Sequence, residues 1–214
     1  MGEHPILFSD EMVRAILDGR KTQVRVPLRK QPLDILPMNE PNKWIVLMSR
    51  EPNHGLLVDC RYGIPGDQLW VREAWAVRRI ELPDGTLEYP NILYRSTSST
   101  RLLINEIVWP LVAYGALRWR PSVHMPRWAS RITLTITDVR VERVTDITED
   151  DAIAEGVEHG FYDGGYWTLT DDPRCDYRRG FIRAWDSTYA KRGYGWDTNP
   201  WVWRIEFRKD GLTL

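Results

Sequence analysis

The chain has 214 residues, 43% of them hydrophobic and 28% charged, and its 29 Lys and Arg against 30 Asp and Glu give a formal net charge of −1. This composition predicts one large domain, or a small domain with insertions, and argues against a surface that is basic throughout. No apolar run approaches the roughly 20 residues of a membrane span, so we expect no membrane segment. The first residues lack a signal-peptide pattern, and two distant cysteines favour a reducing cytoplasm, although a buried cysteine pair stays open.

The charges and the aromatic residues are unevenly distributed. Residues 146–158 hold six acids and no Lys or Arg, whereas residues 118–131 hold four arginines and no acid. A local basic groove is therefore compatible with the balanced total. Eleven tryptophans is a high number for this length. Tryptophan stacks on bases but also fills cores, and we expect most of these residues in the core.

The first 27 residues predict a strand, a helix and a second strand. The first strand is expected at 5–9. Ser9 is a typical helix cap ahead of two acidic residues, and Gly19 is placed to end the helix. Residues 21–26 then predict a strand that Pro27 stops.

The middle of the chain predicts several strands and one long excursion. The excursion covers residues 29–57, which are rich in Pro and Asn. A strand at 68–75 follows a "PGD" turn and carries Glu73, a carboxylate that needs a partner if the strand is partly buried. Further strands are predicted at 92–96, after a hairpin turn at 83–85, and at 131–144, where polar and apolar residues alternate cleanly.

The last third of the chain predicts two helices and a final strand. Thr148 and Asp151 form a capping-box pattern before a short acidic helix that Gly156 ends. Residues 157–175 predict a loop, 176–191 a longer helix and 200–208 a strand. The whole pattern indicates an α+β fold, in which a small β-barrel or curled sheet has short helices closing its ends.

Four segments together resemble the ASCH domain of the PUA-like superfamily: "ILDGRKTQVR", "PGDQLWVREAW", "ITEDDAIAEG" and "WRIEF". The resemblance implies a single domain over 1–214, with a small β-barrel, short flanking helices and long loop insertions. The insertions would lie near 29–57, 76–128 and 157–175. The longer form, with "PSVHMPRWASRI" and "GWDTNPWVW", is similar to ASCH proteins of bacteriophage and prophage genomes. It implies the cytoplasm of a bacterial cell or of a phage-infected host.

The family resemblance also implies a class of ligand and two catalytic residues. Some ASCH proteins hydrolyse the amide of acetylated cytidine, others cleave single-stranded RNA, and many have no established activity. In the amidohydrolases a lysine, a threonine and a glutamate carry the reaction, and the matching motif positions here are Lys21, Val24 and Glu155. Valine has no hydroxyl, so the threonine's role is lost. The expected ligand is RNA or a modified nucleoside, without a cofactor.

The residues themselves permit more than one chemistry. Amide hydrolysis needs an activated nucleophile, a stabilised oxyanion and a proton for the leaving amine. Glu155 could activate water as a general base, with Lys21 stabilising the charge. Thr22 is the nearest hydroxyl, but on a regular strand it points away from Lys21. Two other functions stay open: a non-catalytic RNA-binding module and a single-strand ribonuclease. Lys21 and Glu155 could also be ordinary solvated side chains without a functional role. Val24 favours binding or a changed mechanism.

Seven further residues are candidates for substrate binding: Arg20, Thr22, Arg25, Glu73, His124, Arg127 and Trp128. Each also has a structural interpretation. Glu73 could form an ion pair across the sheet, His124 is more often structural than catalytic, and Arg127 with Trp128 could pack an insertion against the barrel. The four histidines and two cysteines are scattered without ligand spacing, so we expect no metal site.

Overall fold

The computed structural model describes residues 1–37, 43–48, 55–81, 87–97, 118–158, 161–163, 166–168 and 177–210. The strands in these ranges are β1 Glu3–Leu7, β2 Gln23–Pro27, β3 Asp34–Pro37, β4 Trp44–Leu47, β5 Gly55–Val58, β6 Gln68–Arg72, β7 Trp75–Glu81, β8 Leu87–Tyr94, β9 Thr133–Arg143, β10 Phe161–Asp163, β11 Tyr166–Thr168 and β12 Trp201–Lys209. The α-helices are α1 Asp10–Leu17, α2 Glu149–Ala154 and α3 Tyr177–Tyr189. None of the helices described is both long enough and apolar enough to span a bilayer.

The central sheet has five strands in the order β1-β6-β9-β12-β2. β1 runs parallel to β6, and the other three pairs are antiparallel. The two edge strands, β1 and β2, are consecutive in the chain and are joined by α1. The buried face of α1, with Val13 and Ile16, packs into the same core as β6, β9 and β12, which contribute Leu69, Leu134 and Ile205.

The prediction of an α+β fold is confirmed. The described strands form one five-stranded sheet, one three-stranded sheet and two hairpins, and no closed ring of hydrogen-bonded strands is present among them. Closure into a PUA-like barrel therefore stays a prediction.

The three predicted insertions contain more regular structure than the loops we expected. Strands β3, β4 and β5 form an antiparallel sheet that lies in the insertion predicted at 29–57 and ends one residue beyond it, at Val58. β7 pairs with β8 in the predicted hairpin. The short hairpin of β10 and β11 lies inside 157–175, where a loop was predicted. A high content of Gly, Pro and Asn predicts turns, but it gives no indication of the short strands that lie between those turns. Residues 98–117 of the second insertion lie outside the described part.

Two smaller apolar clusters flank the main core. One packs α3 against α2 through Phe181, Trp185 and Ala152, and the other surrounds Trp75 with Met125 and Ala129. Trp75, Trp185 and Trp203 are buried, as expected for core tryptophans. Trp44, Trp196 and Trp201 are only partly buried against the core clusters and Trp128 is exposed, so the expectation holds in part. This packing of α3 on α2 places an aromatic helix beside the end of the acidic helix.

Candidate functional site

Helix capping places Lys21 between α1 and β2, two residues before the strand begins. Ser9 Oγ accepts a hydrogen bond from the Met12 main-chain N–H at 3.3 Å, and α1 begins there as predicted. After α1, Gly19 adopts a left-handed φ of 77°, which glycine tolerates without a side-chain clash. The chain then turns back, and the Lys21 N–H donates to Ala15 O at 3.0 Å. Lys21 is thus fixed at a helix-to-strand junction.

A second set of caps brings Glu155 beside it. Thr148 and Asp151 form the predicted capping box at the start of α2, and Glu155 is the residue that caps its end. Glu155 forms an isolated antiparallel bridge with Lys21, and the Thr22 N–H donates to Ala154 O at 2.8 Å. The two motif residues are therefore adjacent through the main chain as well as through their side chains.

Lys21, Glu155 and Arg25 form a buried ionic cluster. Lys21 Nζ lies 2.8 Å from Glu155 Oε2 and 2.7 Å from the Glu155 main-chain oxygen. Arg25 Nη1 lies 3.2 Å from Glu155 Oε1, so each carboxylate oxygen has one cationic partner. The side chains of Lys21, Glu155 and Arg25 are 1%, 5% and 0% exposed. Charges this deeply buried are tolerated only when they are paired.

The Arg25 guanidinium is held by two more carboxylates. Its Nε donates to Glu142 Oε1 at 2.8 Å, and Nη2 lies 3.1 Å from Asp151 Oδ2 at an angle outside the hydrogen-bonding range. Asp151 also contacts Arg204 of β12 at 3.0 Å. Gln23 donates to the Asp151 main-chain oxygen at 2.7 Å. This network fixes the arginine side chain that in turn fixes Glu155.

A cleft of about 480 Å³ opens onto the ionic cluster. Its apolar wall includes Val24 of β2 and three aromatic residues of α3 spaced four apart, Phe181, Trp185 and Tyr189. The ring centroids of Phe181 and Trp185 lie 5.8 Å apart, and those of Trp185 and Tyr189 lie 4.5 Å apart. Side chains four apart share one face of a helix, so α3 presents a continuous aromatic surface toward the cluster.

Three other motif residues have distinct positions around this cleft. Arg20 lies at the rim, where it donates to Gly156 O at 3.2 Å and pairs with Asp18 and Glu158. Thr22 is exposed and does not line the cleft. Val24 is buried and contributes only apolar surface.

The four candidates outside the motif do not line the cleft. Glu73 is buried, with Arg131 Nε at 3.0 Å and the Ser96 hydroxyl as its partners, which matches the structural interpretation of an ion pair. Arg127 pairs with Glu3 at 3.0 Å. Trp128 is exposed with its edge toward Trp75, and His124 is exposed in a short 3-10 turn.

The sequence does not predict the four residues that surround the ionic cluster: Gln23, Glu142, Asp151 and Arg204. A local signal existed for Gln23, because alternation along a strand places residues 21, 23 and 25 on one face. The acids and Arg204 come from other elements, and no short-range pattern connects them to β2.

The Tyr189 side chain at the cleft and the Cys60 thiol in the main core both remain protonated at neutral pH. Burial, followed by the nearby Tyr62 and Glu155, raises the pKa of Tyr189 far above its ordinary value. The Tyr189 hydroxyl therefore stays available as a hydrogen-bond donor. Burial also raises the pKa of Cys60 to about 11, so this residue is a thiol rather than a reactive thiolate. Cys175 lies outside the described residues.

We expect Gly156→Ala to destabilise the protein by about 1–3 kcal/mol. Gly156 has a φ of 80°, and an added Cβ would lie 2.8 Å from both Ala15 Cβ and Lys21 Cβ. Gly193→Ala is the matched control, because its φ is 83° and nothing lies within 4 Å of the added Cβ. Urea denaturation should therefore show a larger loss for Gly156→Ala. Equal losses would mean that backbone conformation alone is responsible and that the contact with Lys21 is unimportant.

The stability that Asp151 provides should disappear in acid. Burial raises the pKa of this carboxyl, but the Thr148 hydrogen bonds, Arg25 and Arg204 outweigh burial and lower it below 3.8. A lowered pKa stabilises the fold above the unfolded-state value and loses that effect as pH falls through the folded-state value. The difference in Tm between the wild type and Asp151→Asn should thus be largest at pH 7 and shrink below about pH 4. Asp150→Asn, the exposed neighbour, serves as control; a difference independent of pH would contradict the ionic role.

No protein-family model matches the chain, and searches of curated proteins and of solved structures return no match either. Within the described ranges, no group of three His, Cys, Asp or Glu side chains is arranged to hold a metal ion.

Proposed function

We propose that this chain is an ASCH-type protein with a PUA-like fold, whose cleft binds a modified nucleoside or an unstacked base of RNA in the bacterial or phage-infected cytoplasm. One observation carries the proposal: Lys21 and Glu155 form a buried pair at 2.8 Å beneath an aromatic-walled cleft. Small-molecule sites typically combine apolar walls with a few convergent polar groups. Two charged residues from separate motifs at the base of such a cleft fit that description.

The polar groups in the cleft match the edge of a pyrimidine. A lysine ammonium has three donors, and Glu155 occupies two of those on Lys21, which leaves one for a base carbonyl oxygen. Each Glu155 oxygen accepts from one cation and retains capacity to accept from an exocyclic N–H. The rings of Phe181, Trp185 and Tyr189 provide flat apolar surface for the base. An amide-bearing cytosine carries both kinds of polar atom.

Hydrolysis of an amide on the bound base is the second candidate function. The 2.8 Å pair favours it, because Glu155 and Lys21 together offer a base and a cation at one point. Glu155 would take a proton from water while the water oxygen attacks the amide carbon, and Lys21 would stabilise the oxyanion. As the C–N bond breaks, Glu155 returns the proton to the leaving nitrogen, which gives a carboxylic acid and a free amine.

Water fits this reaction better than a hydroxyl nucleophile. Val24 occupies the position where the family resemblance places threonine, and Thr22 does not line the cleft. The Ser187 and Thr188 hydroxyls line the cleft, but both donate to Ala184 O, at 2.8 and 3.0 Å. None of these hydroxyls lies in a hydrogen bond with Lys21 or Glu155 in the described part of the chain, and the nucleophile we propose is therefore water.

The test follows binding and turnover together. Acetylcytidine, cytidine and a labelled single-stranded RNA are incubated with the wild type, and calorimetric binding, acetate release and strand cleavage are measured. Glu155→Gln should weaken nucleoside binding at least tenfold and abolish any acetate release. Glu158→Gln is the matched control, because it removes the same charge from the exposed rim of the cleft.

Each result of this test has a definite meaning. Absence of both nucleoside and RNA binding would refute the proposed function. Acetate release that Glu155→Gln leaves unchanged would refute hydrolysis by this pair. Strand cleavage that depends on Glu155, without acetate release, would show a ribonuclease instead.

A further inference from the structure

A second groove, of about 660 Å³, lies directly beside the cleft. The two share lining residues, among them Ser9 and Met12 of α1, Val24 of β2 and Tyr189 of α3. The cleft and the groove are therefore adjacent, and one extended ligand can occupy both. None of the residues predicted from the sequence to bind substrate lines this groove.

The groove is strongly cationic although the chain carries a net charge of −1. Arg29, Arg61, Arg72 and Arg192 line it, and its lining contains no Asp or Glu. Within the part of the chain that the structure describes, none of these four arginines forms an ion pair, whereas Arg25, Arg95, Arg127 and Arg131 all do. Like charges that are grouped without acids create a local positive potential that attracts anions.

Aromatic rings, and for Arg72 a main-chain oxygen, position three of these arginines rather than carboxylates. The Arg61 guanidinium carbon lies 4.7 Å from the centroid of the Tyr62 ring, and that of Arg192 lies 5.9 Å from the Tyr189 ring. Arg72 lies over Trp70 and donates to Met125 O at 3.0 Å. Stacking on a ring leaves the N–H groups of a guanidinium free for bidentate contacts, which suit phosphate oxygens.

We infer that this arginine groove, lined by Arg29, Arg61, Arg72 and Arg192, binds the phosphodiester backbone of a single strand whose neighbouring base occupies the cleft. The inference rests on the proposed function and narrows its substrate from a free nucleoside to a nucleotide within a strand. A groove lined by both guanidinium groups and tyrosine rings matches a chain of phosphates and bases better than a run of acidic side chains, which offers no aromatic base to stack. Continuity with the cleft gives the strand a defined path.

The measurement is the salt dependence of binding, with a fluorescein-labelled ten-nucleotide RNA in an anisotropy titration. Each phosphate contact with a single strand contributes a slope of about −0.7 in log K against log salt concentration. The triple variant R29Q/R61Q/R192Q should make the slope less steep by about 2, and bind about 100-fold more weakly at 0.1 M salt than the wild type. The difference should vanish toward 1 M salt. Arg72 is kept, because its main-chain hydrogen bond has a structural role.

The matched control is R118Q/R140Q/R208Q. These three arginines are also exposed, their loss changes the net charge equally, and none of them lines the cleft or the groove. If control and groove variants lose the same affinity, binding reflects total charge and the inference is wrong. A duplex with the same number of phosphates should bind more weakly than the single strand, because its bases are stacked; equal binding would also overturn the inference. DNA of the same sequence should give the same slope, since the backbone contacts do not require the 2′-hydroxyl.

Failure of the groove and failure of the proposed function give different results. If acetylcytidine binds the cleft through Glu155 but the RNA binds no more tightly than the nucleoside, the groove inference is wrong and the proposed function stands. If the RNA binds with the expected loss in R29Q/R61Q/R192Q but Glu155→Gln has no effect on nucleoside binding, the groove is supported and the cleft proposal falls. A polyglutamate peptide that competes as well as RNA of equal charge would overturn the assignment to nucleic acid.

Discussion

Replacement of Lys21 by methionine is expected to lower the free energy of unfolding by about 3–5 kcal/mol. The side chains of Lys21 and Glu155 are almost completely buried, so removal of the ammonium leaves one largely desolvated carboxylate oxygen without its cation. Urea denaturation monitored by tryptophan fluorescence measures the change. Lys191→Met is the control, because Lys191 is exposed and should change the stability by less than about 0.5 kcal/mol.

A double variant separates stability from ligand binding. In Lys21→Met/Glu155→Gln both charges are gone, and the glutamine oxygen can still accept a hydrogen bond from Arg25. Neutral replacement of both partners of a buried pair is far less costly than loss of one, so most of the lost stability should return. Nucleoside binding should stay lost, because the donor and the acceptor for the base are absent. Wild-type nucleoside affinity in the double variant would show that the pair is purely structural.

The second large effect is expected at Glu73, which lies outside the cleft. Glu73→Leu should cost about 3–5 kcal/mol, because it leaves Arg131, whose side chain is 19% exposed, without a carboxylate partner. Glu3→Leu is the control, since it removes the corresponding partner of Arg127 at the surface, where an ion pair contributes about 0–1 kcal/mol. Thermal and urea unfolding measure both variants.

The same Glu73 variant tests whether this residue belongs to the binding site. Because Glu73 does not line the cleft, the folded fraction of Glu73→Leu should bind nucleoside with an affinity within about twofold of the wild type. A folded variant that loses nucleoside binding would place Glu73 in the site after all.

Local interactions explain what the sequence predicts well. Ser9, Gly19, Thr148 and Gly156 mark the ends of two helices through hydrogen bonds and backbone angles that involve residues three or four apart. The clean alternation of polar and apolar residues over 131–144 is also a local pattern, with a period of two residues, and it predicts β9. Lys21 and Glu155 lie at the ends of these two helices, so the motifs predict the local structure around each residue.

Long-range interactions explain what the sequence does not predict. The partners of Arg25 include Glu142 and Asp151, more than a hundred residues away, and the sheet order that brings them together has no signature in any short segment. His124, Arg127 and Trp128 were chosen for their chemistry, but residue type does not determine which surface a turn faces. The arginine groove was missed because its four arginines come from separate parts of the chain.

The strand order has a consequence for the synthesis of this protein. Among the described strands, β2, which carries Gln23 and Arg25, pairs only with β12, and β12 follows it by about 175 residues in the chain. At roughly 5–20 residues per second, a ribosome needs roughly 10–35 s to make the residues between them. During this interval β2 has no neighbouring strand, and Arg204 is not yet present to hold Asp151. A nascent chain therefore cannot complete the central sheet, or the contact between Arg204 and Asp151 beside the ionic cluster, until translation has passed residue 209.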